Sequence, residues 1–574
     1  MKKFWTLAFA CGAVLGANAQ ASTPVDSTRG WQLKDKGTGG YYGISLDKAY
    51  DFVKTHHHRK PRTVVVAVID SGVDTTHEDL RPVLWHNPGE IPGNGIDDDH
   101  NGYIDDVYGW NFLGGKDGKN VTKDSYESQR VYYQYKDRFS GLRNADQLSA
   151  ADKYLFATWQ RAKKAVLNGV DTSSLHRLEQ AYHMAAASDS ILRLALHSKV
   201  ITGKDIESYT PSTASVQSSK NFLLRLLQIN HSMTEDDTRD FLGGFEKFLE
   251  SQEQKEYGMT HAPEDYRDEI VKDDYPDFND RYYGNNNVMA GDHFHGTHVS
   301  GIIGAVRHNG IGMDGVADHV RIMMIRAVPD GDEHDKDIAL AIRYAVDNGA
   351  EVINMSFGKG FSPEKEWVDS SVRYAESKGV LLVQAAGNDG ADIDTSFNFP
   401  SPHFLNDSAS AGLWAASEGI KNPEVTTHRE SEAADYITVG ASGDPSLGGL
   451  IAPFSNYGKE NVDVFAPGVQ IYSTLPGGNK YGELQGTSMA SPMVAGLAAF
   501  ILSYYPKLSA GQLKYVIEAS AVHPDIEGNR PHSKDKTTLD QLCRSGGIIN
   551  AYDAIRLAST LKGERKKKIH RYRD

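Results

Sequence analysis

The chain has 574 residues, 39% hydrophobic and 24% charged, with a formal net charge of −15. That length exceeds one average domain, and the composition is that of a globular protein with a real core. The acidic balance argues against nucleic acid as the main partner, and the one basic cluster, Arg565–Arg573, reads as a solvated terminus.

The first 19 residues read as an export signal. Lys2 and Lys3 precede an apolar run from Phe4 to Gly16, and Ala17-Asn18-Ala19 forms a small-x-small cleavage site. The mature chain is expected to begin at Gln20, in the periplasm or outside the cell. Lipid attachment at Cys11 would leave a signal of only ten residues, so cleavage after Ala19 is preferred. With Cys11 removed, Cys543 is the only cysteine and no internal disulfide can form. No later apolar run reaches membrane-spanning length.

Residues 20–40 are polar and Gly-rich, a leader. Ile44–Thr55 predicts a short helix, and Arg62–Ile69 carries T-V-V-V-A-V-I, a continuous apolar run. Such runs mark parallel strands buried on both faces. Similar runs lie at His319–Ile325, Glu351–Met355, Gly379–Ala385 and Tyr436–Gly440, with helical stretches at Asp337–Asp347 and Trp367–Ser377 between them. This alternation predicts an α/β fold around a parallel sheet. The stretch from Val121 to Tyr283 differs, being rich in charge, Gln, Tyr and Ser. Leu148, Leu155, Trp159, Ala162 and Val166 recur at helical spacing, as do Leu178, Tyr182, Ala185, Leu192 and Leu196. With Phe222–Ile229 and Phe241–Leu249, they predict an insertion of three to five helices. The expected organisation is a signal at 1–19, a discontinuous catalytic domain at 20–120 and 284–561, the helical insertion at 121–283 and a basic tail at 562–574.

Four segments carry chemistry. V-A-V-I-D-S-G at Val66–Gly72 puts Asp70 at the end of a buried strand. H-G-T-H-V-S-G at His295–Gly301 opens a small-residue helix with His295. G-T-S-M-A-S-P at Gly486–Pro492 puts Ser488 at the start of an apolar helix, and A-A-G-N-D-G at Ala385–Gly390 supplies the Asn388 amide. A serine hydroxyl is a poor nucleophile until a base takes its proton and a carboxylate orients that base. A helix N-terminus and a side-chain amide can hold the oxyanion that follows. Taken singly, Asp70 reads as a turn or cap aspartate, Ser488 as an N-cap and Asn388 as a turn residue. Their joint presence favours catalysis.

In this Asp–His–Ser order the segments resemble the subtilisin-like serine proteases, over roughly Trp31–Asn120 and Asn285–Leu561. The resemblance implies a three-layer parallel-sheet subtilisin-like fold carrying the helical segment as an extra. It implies that Asp70, His295 and Ser488 form the triad, that Asn388 is the oxyanion donor, and that His298 is a supporting histidine and Ser491 a structural serine. It also implies that Ser356, Phe357 and Gly358 pair with extended protein or peptide substrate, Gly358 leaving room for a side chain. The base of that pocket falls in Ala391–Ala434, where an insertion makes the side-chain preference unreadable. About 40 residues separate the signal from the first strand, too few for a full inhibitory prodomain.

The segment Asn94–Asp106 reads N-G-I-D-D-D-H-N-G-Y-I-D-D. Asp97, Asp99, Asn101 and Asp105 fall at positions 1, 3, 5 and 9 of a calcium-loop pattern with Gly102 at position 6, while Tyr108 replaces the closing glutamate. A structural Ca2+ there is expected, with Asp106 a substitute ligand; the alternative is a solvated acidic turn. Two other functions fit the sequence less well. A zinc hydrolase built on His56-His57-His58 or on His295 and His298 lacks the H-E-x-x-H glutamate. A catalytically weak binding protein is disfavoured because all four chemical positions hold the needed residue types. Oligomeric state has no sequence signal.

Overall fold

The computed structural model describes residues 28–56, 60–169, 171–230, 237–405 and 432–565. The signal segment, His57, His58 and most of the insertion in Ala391–Ala434 lie outside them. Two compact units emerge. The smaller holds Ala162–Pro263 with residues 28–29, and the larger holds Gly30–Arg161 and the chain from Glu264 onward.

In chain order the larger unit begins with α1 (Leu46–His56), β1 (Val64–Asp70), β2 (Gly109–Asn111) and α2 (Glu127–Phe139). Helix α3 (Ala150–Asn168) contains the boundary in sequence. The smaller unit contributes α4 (Thr172–Leu196), α5 (Gly203–Ser208), α6 (Ala214–Ile229) and α7 (Thr238–Tyr257). The larger unit resumes with α8 (Tyr266–Ile270), α9 (Phe294–Gly304), β3 (Val320–Arg326), α10 (Asp335–Asp347), β4 (Val352–Met355), α11 (Lys365–Lys378) and β5 (Leu381–Ala385). It continues through β6 (Tyr436–Ser442), β7 (Val464–Pro467), the hairpin β8 (Ile471–Leu475) and β9 (Lys480–Leu484), α12 (Thr487–Tyr504), α13 (Ala510–Ala519) and α14 (Ala551–Thr560).

The parallel sheet runs β2-β3-β1-β4-β5-β6-β7. All seven residues of β1 are buried, and its β-branched side chains alternate between two cores. Val64, Val66 and Val68 pack with α9 and α12 residues such as Ile302 and Val494. Val65, Ala67 and Ile69 pack with α10 and α11 residues such as Ile338 and Val372. One sheet between two helical layers is the three-layer α/β arrangement. The chain passes from β1 to β2 and β3 on one side, then crosses to β4 on the other. Such a reversal opens a crevice at the carboxyl ends of the strands, where α/β folds bind ligands. Asp70 stands at its centre, between β3 and β4. The apolar α12 is long enough to cross a bilayer, but 89% of it is buried, which makes it a core helix.

The predicted strands appear within a few residues of their expected bounds, whereas the helices read at Phe222–Ile229 and Phe241–Leu249 extend over Ala214–Ile229 and Thr238–Tyr257. Among its described residues the polar segment 121–283 forms seven helices, α2 to α8, where three to five are expected. Short helices such as α5 show no apolar period, yet Thr202 and Asp205 open it with a reciprocal capping box. Within the smaller unit, Leu175, Leu192, Ile206, Leu223, Leu227 and Phe245 form one apolar core. Arg193 clips it together through Asp189 at 2.6 Å and through Asp237, the N-cap of α7. This self-contained unit is narrower than the polar segment, because α2 and α8 belong to the larger one.

Candidate active site

At the end of β1 the Asp70 carboxylate is 2% exposed. Its Oδ1 accepts the Ser71 N–H at 2.7 Å and lies 2.8 Å from His295 Nδ1. That contact makes Nδ1 the protonated nitrogen and leaves Nε2 as the basic one. Gly296 permits the approach: a Cβ there would lie 2.2 Å from the Gly72 carbonyl and 3.2 Å from the Asp70 side chain. Burial pulls the His295 pKa down, but the charge and hydrogen bond of Asp70, with Asp292 behind them, outweigh it and raise it above the usual 6.5. The imidazole remains accessible, its side chain 37% exposed.

His298, one turn on, has a different environment. It is fully buried, with Nε2 3.2 Å from the Gly482 carbonyl. Burial drives its pKa down to about 3, so it stays neutral. The adjoining turn of α9 is braced by Ser473, which donates to the His298 carbonyl at 2.8 Å, and by Thr474, which donates to that of Thr297 at 2.8 Å.

Ser488 is the second residue of α12, where backbone N–H groups have no helical acceptor. The Thr487 N–H reaches Asn388 Oδ1 at 2.9 Å and the Met489 N–H reaches the Gly486 carbonyl at 3.0 Å. The Ser488 N–H has no acceptor among the described residues. Thr487 Oγ1 also donates to Asn388 Oδ1, at 3.0 Å, so the amide oxygen is committed and its NH2 is left to donate. The Ser488 hydroxyl donates to the Ser356 carbonyl at 2.8 Å, and Ser356 Oγ donates back to the Ser488 carbonyl at 2.9 Å. The structure thus pairs Asp70 with His295 and seats Ser488 beside Ser356; among the described residues Ser488 and His295 share no hydrogen bond. Rotation about one side-chain bond releases the hydroxyl from Ser356. Ser491 is fully buried and bonds Asn354 at 2.8 Å, a structural contact.

Beyond β4, Phe357 is half-buried and Gly358 exposed. A Cβ at Gly358 would sit 2.4 Å from Asn398 Oδ1, so this rim accepts only glycine without displacing Asn398. Two residues have a supporting role that sequence reading does not find. Asn456 accepts the Asp389 and Ala391 N–H groups at 2.9 Å each, fixing the loop that carries Asn388. Thr487 lies inside a motif, but its hold on the Asn388 amide becomes visible only in space.

In the acidic loop, Asp97 accepts the Asn101 N–H at 3.1 Å and the Gly102 N–H at 2.9 Å. Asp105 turns to the Gly93 and Gly95 N–H groups, at 2.8 and 2.7 Å. Asn101 Oδ1 accepts the Tyr103 N–H at 2.8 Å. The carboxylates that gather within 4.8 Å of one another are Glu90, Asp99 and Asp106. Glu90 lies outside the motif. Its Oε1 accepts the Asp98 N–H at 3.0 Å, whereas its buried Oε2 has no partner. Burial raises the Asp106 pKa to about 7, against hydrogen bonds from Tyr344, Asn87 and Asn101 that lower it.

Comparison with known proteins accords with this arrangement. A model of the subtilase family matches residues 61–546. The chain is 40% identical over 210 residues to a thermophilic serine proteinase of Bacillus sp. (strain AK1), covering 36% of this chain and 42% of that one. It is 36% identical over 233 residues to subtilisin DY of Bacillus licheniformis, covering 40% and 70%. To subtilisin E of Bacillus subtilis (strain 168) it is 35% identical over 232 residues, covering 40% and 51%. The chain therefore spans about half the length of most of these relatives. A family match that runs from just before β1 to beyond α12 covers the sheet and all four chemical segments, and the chain belongs to the subtilase family.

Proposed function

We propose that this protein is an exported serine endopeptidase that hydrolyses peptide bonds of protein substrates through an acyl-enzyme. Ser488 Oγ bonds to the substrate carbonyl carbon while its proton passes to His295 Nε2. Asp70 holds the other imidazole nitrogen and stabilises the imidazolium. The Asn388 NH2 and the Ser488 N–H receive the carbonyl oxygen as it becomes negative. His295 then gives its proton to the leaving amine as the C–N bond breaks. Water, deprotonated by His295, cleaves the acyl-enzyme and restores Ser488. The observations that support this reading are the 2.8 Å His295–Asp70 contact and a serine at an open helix N-terminus. Residues 1–19 are taken as its signal, 20–120 and 284–561 as the catalytic domain and 121–283 as an inserted helical segment. Export leads to the periplasm or the outside.

We also propose a structural Ca2+ in the acidic loop. The donor set is all oxygen, as calcium prefers. The orphaned Glu90 Oε2 and the Asp106 carboxyl, raised chiefly by burial with Asp99 nearby, are groups whose ionised forms a cation would stabilise. Glu90, Asp99 and Asp106 would hold it, with Asp97, Asn101 and Asp105 shaping the loop around it.

The test compares mature protein with Ser488→Ala on casein and a mixed peptide library, alongside a serine-reactive fluorophosphonate. Labelling and cleavage confined to the unmutated protein support the reading. A folded protein that neither labels nor cleaves refutes it.

A further inference from the structure

We propose that Lys359 closes the acyl side of the substrate cleft after the third residue before the scissile bond. This proposal rests on the protease reading and adds how much substrate the cleft grips.

The cleft follows from the sheet. β3 and β4 flank β1, and where β1 stops at Asp70 their chains run on as two rims. Adjacent strands lie about 4.8 Å apart, so the vacated lane is wide enough for one extended chain. Backbone groups alternate sides along each rim. On the first rim Lys359 faces outward: its N–H and carbonyl pair with Phe399 at 2.9 and 2.8 Å. Ser356 and Gly358 therefore face the lane. On the second rim Asp330 faces outward, pairing with Thr122 and Asp124 at 3.0 and 2.8 Å. Gly331 and Glu333 face the lane.

The next lane-facing groups are already occupied. The Glu333 carbonyl accepts Lys359 Nζ at 2.7 Å and Arg130 Nη2 at 3.1 Å. The Gly360 carbonyl accepts an Arg161 N–H at 2.5 Å. Lys359 crosses from one rim to the other, and its remaining N–H bonds go to Glu127 at 2.6 Å and Asp335 at 2.9 Å. All three side chains are at most 5% exposed. Arg130 and Glu127 come from the first turns of α2, so this helix supplies the seal. Ser488 sits at the Ser356 end. A substrate antiparallel to this rim pairs its first residue with Ser356 and its third with Gly358, and its fourth meets the Lys359 bridge. Lys359 is a specificity-determining residue that touches none of the reacting atoms.

The experiment measures kcat/KM for peptides with one to five residues before a fixed scissile bond and leaving amine. We expect a rise of about tenfold or more between one residue and three, then less than about twofold on adding the fourth and fifth. In Lys359→Gly the fourth residue should add about tenfold, chiefly through KM. Removing that cation deprives Asp335 of its counter-charge and leaves Glu127 paired with Arg130 alone, at 2.8 Å, so Lys359→Gly combined with Glu127→Gln is the second variant. If both variants fail to fold, the wild-type series still decides. A fourth residue that helps the wild-type enzyme as much as the third overturns the proposal. Fluorophosphonate labelling is run in parallel: labelled enzyme with a continuing rise sinks the closure alone, whereas absence of labelling sinks the protease reading and the closure together.

Discussion

The two compact units bury different things. In the larger, polar groups go inside with the aliphatic core: Asp70, His298, Asn354, Ser491, Lys359 and Glu127 are all at most 5% exposed. In the smaller, the buried residues are mostly leucine, isoleucine, phenylalanine and alanine, with the Arg193–Asp189–Asp237 clip as the main polar contribution. Burying a polar group costs stability unless it is paired, so a unit that buries many does so under a constraint beyond folding. Among the described residues the chemistry lies in the larger unit, and the smaller is a helical bundle held by ordinary apolar packing.

The largest effect that sharpens this contrast comes from Ser488→Ala. It should lower kcat by about 10⁶-fold and abolish fluorophosphonate labelling without lowering Tm. A melting temperature that drops several degrees would make Ser488 a structural residue. Next, Asn388→Ala should cost about 10²–10³ in kcat with KM nearly unchanged, a magnitude established on a subtilisin. A loss confined to KM would remove Asn388 from the oxyanion site. In the smaller unit, Leu192→Ala empties a fully buried position. It should destabilise that unit by about 2–5 kcal/mol while Ser488 still labels. Lost labelling in that variant would break the distinction between the units.

Two smaller effects concern protons. The Asp106 pKa is raised from 3.8 to about 7, so in metal-free protein its stability contribution is lost as pH rises through that interval. Tm in chelator should fall between about pH 4 and pH 7, and calcium should flatten that slope; identical slopes would exclude a cation at Asp106. The raised pKa of His295 places the acid limb of activity above 6.5, the usual histidine value. Activity should rise with pH as the imidazole loses its proton and becomes a base. A limb below 6.5 would mean that Asp70 does not hold the imidazolium.

Much of the larger unit is legible in the chain. The unbroken apolar run before Asp70 dictates a strand buried on both faces, and small residues after His295 and Ser488 dictate tightly packed helices. These are local properties, set by side-chain volume and period. The acidic loop is legible only in part. The pattern selects Asp97, Asp99, Asn101 and Asp105, whereas the gathered carboxylates are Glu90, Asp99 and Asp106. A bend of the backbone decides which carboxylates meet, and Asp105 satisfies the Gly93 and Gly95 N–H groups.

Composition and order thus determined the α/β class, the family and the residues available for chemistry, because each depends on neighbours along the chain. Tertiary structure alone decided that Ser488 rests against Ser356, that Thr487 orients the Asn388 amide, and that Lys359 meets Glu333 across the lane left by β1. Those contacts join residues between 26 and 132 positions apart. Sheet order and backbone direction bring such residues together, and no local pattern encodes either.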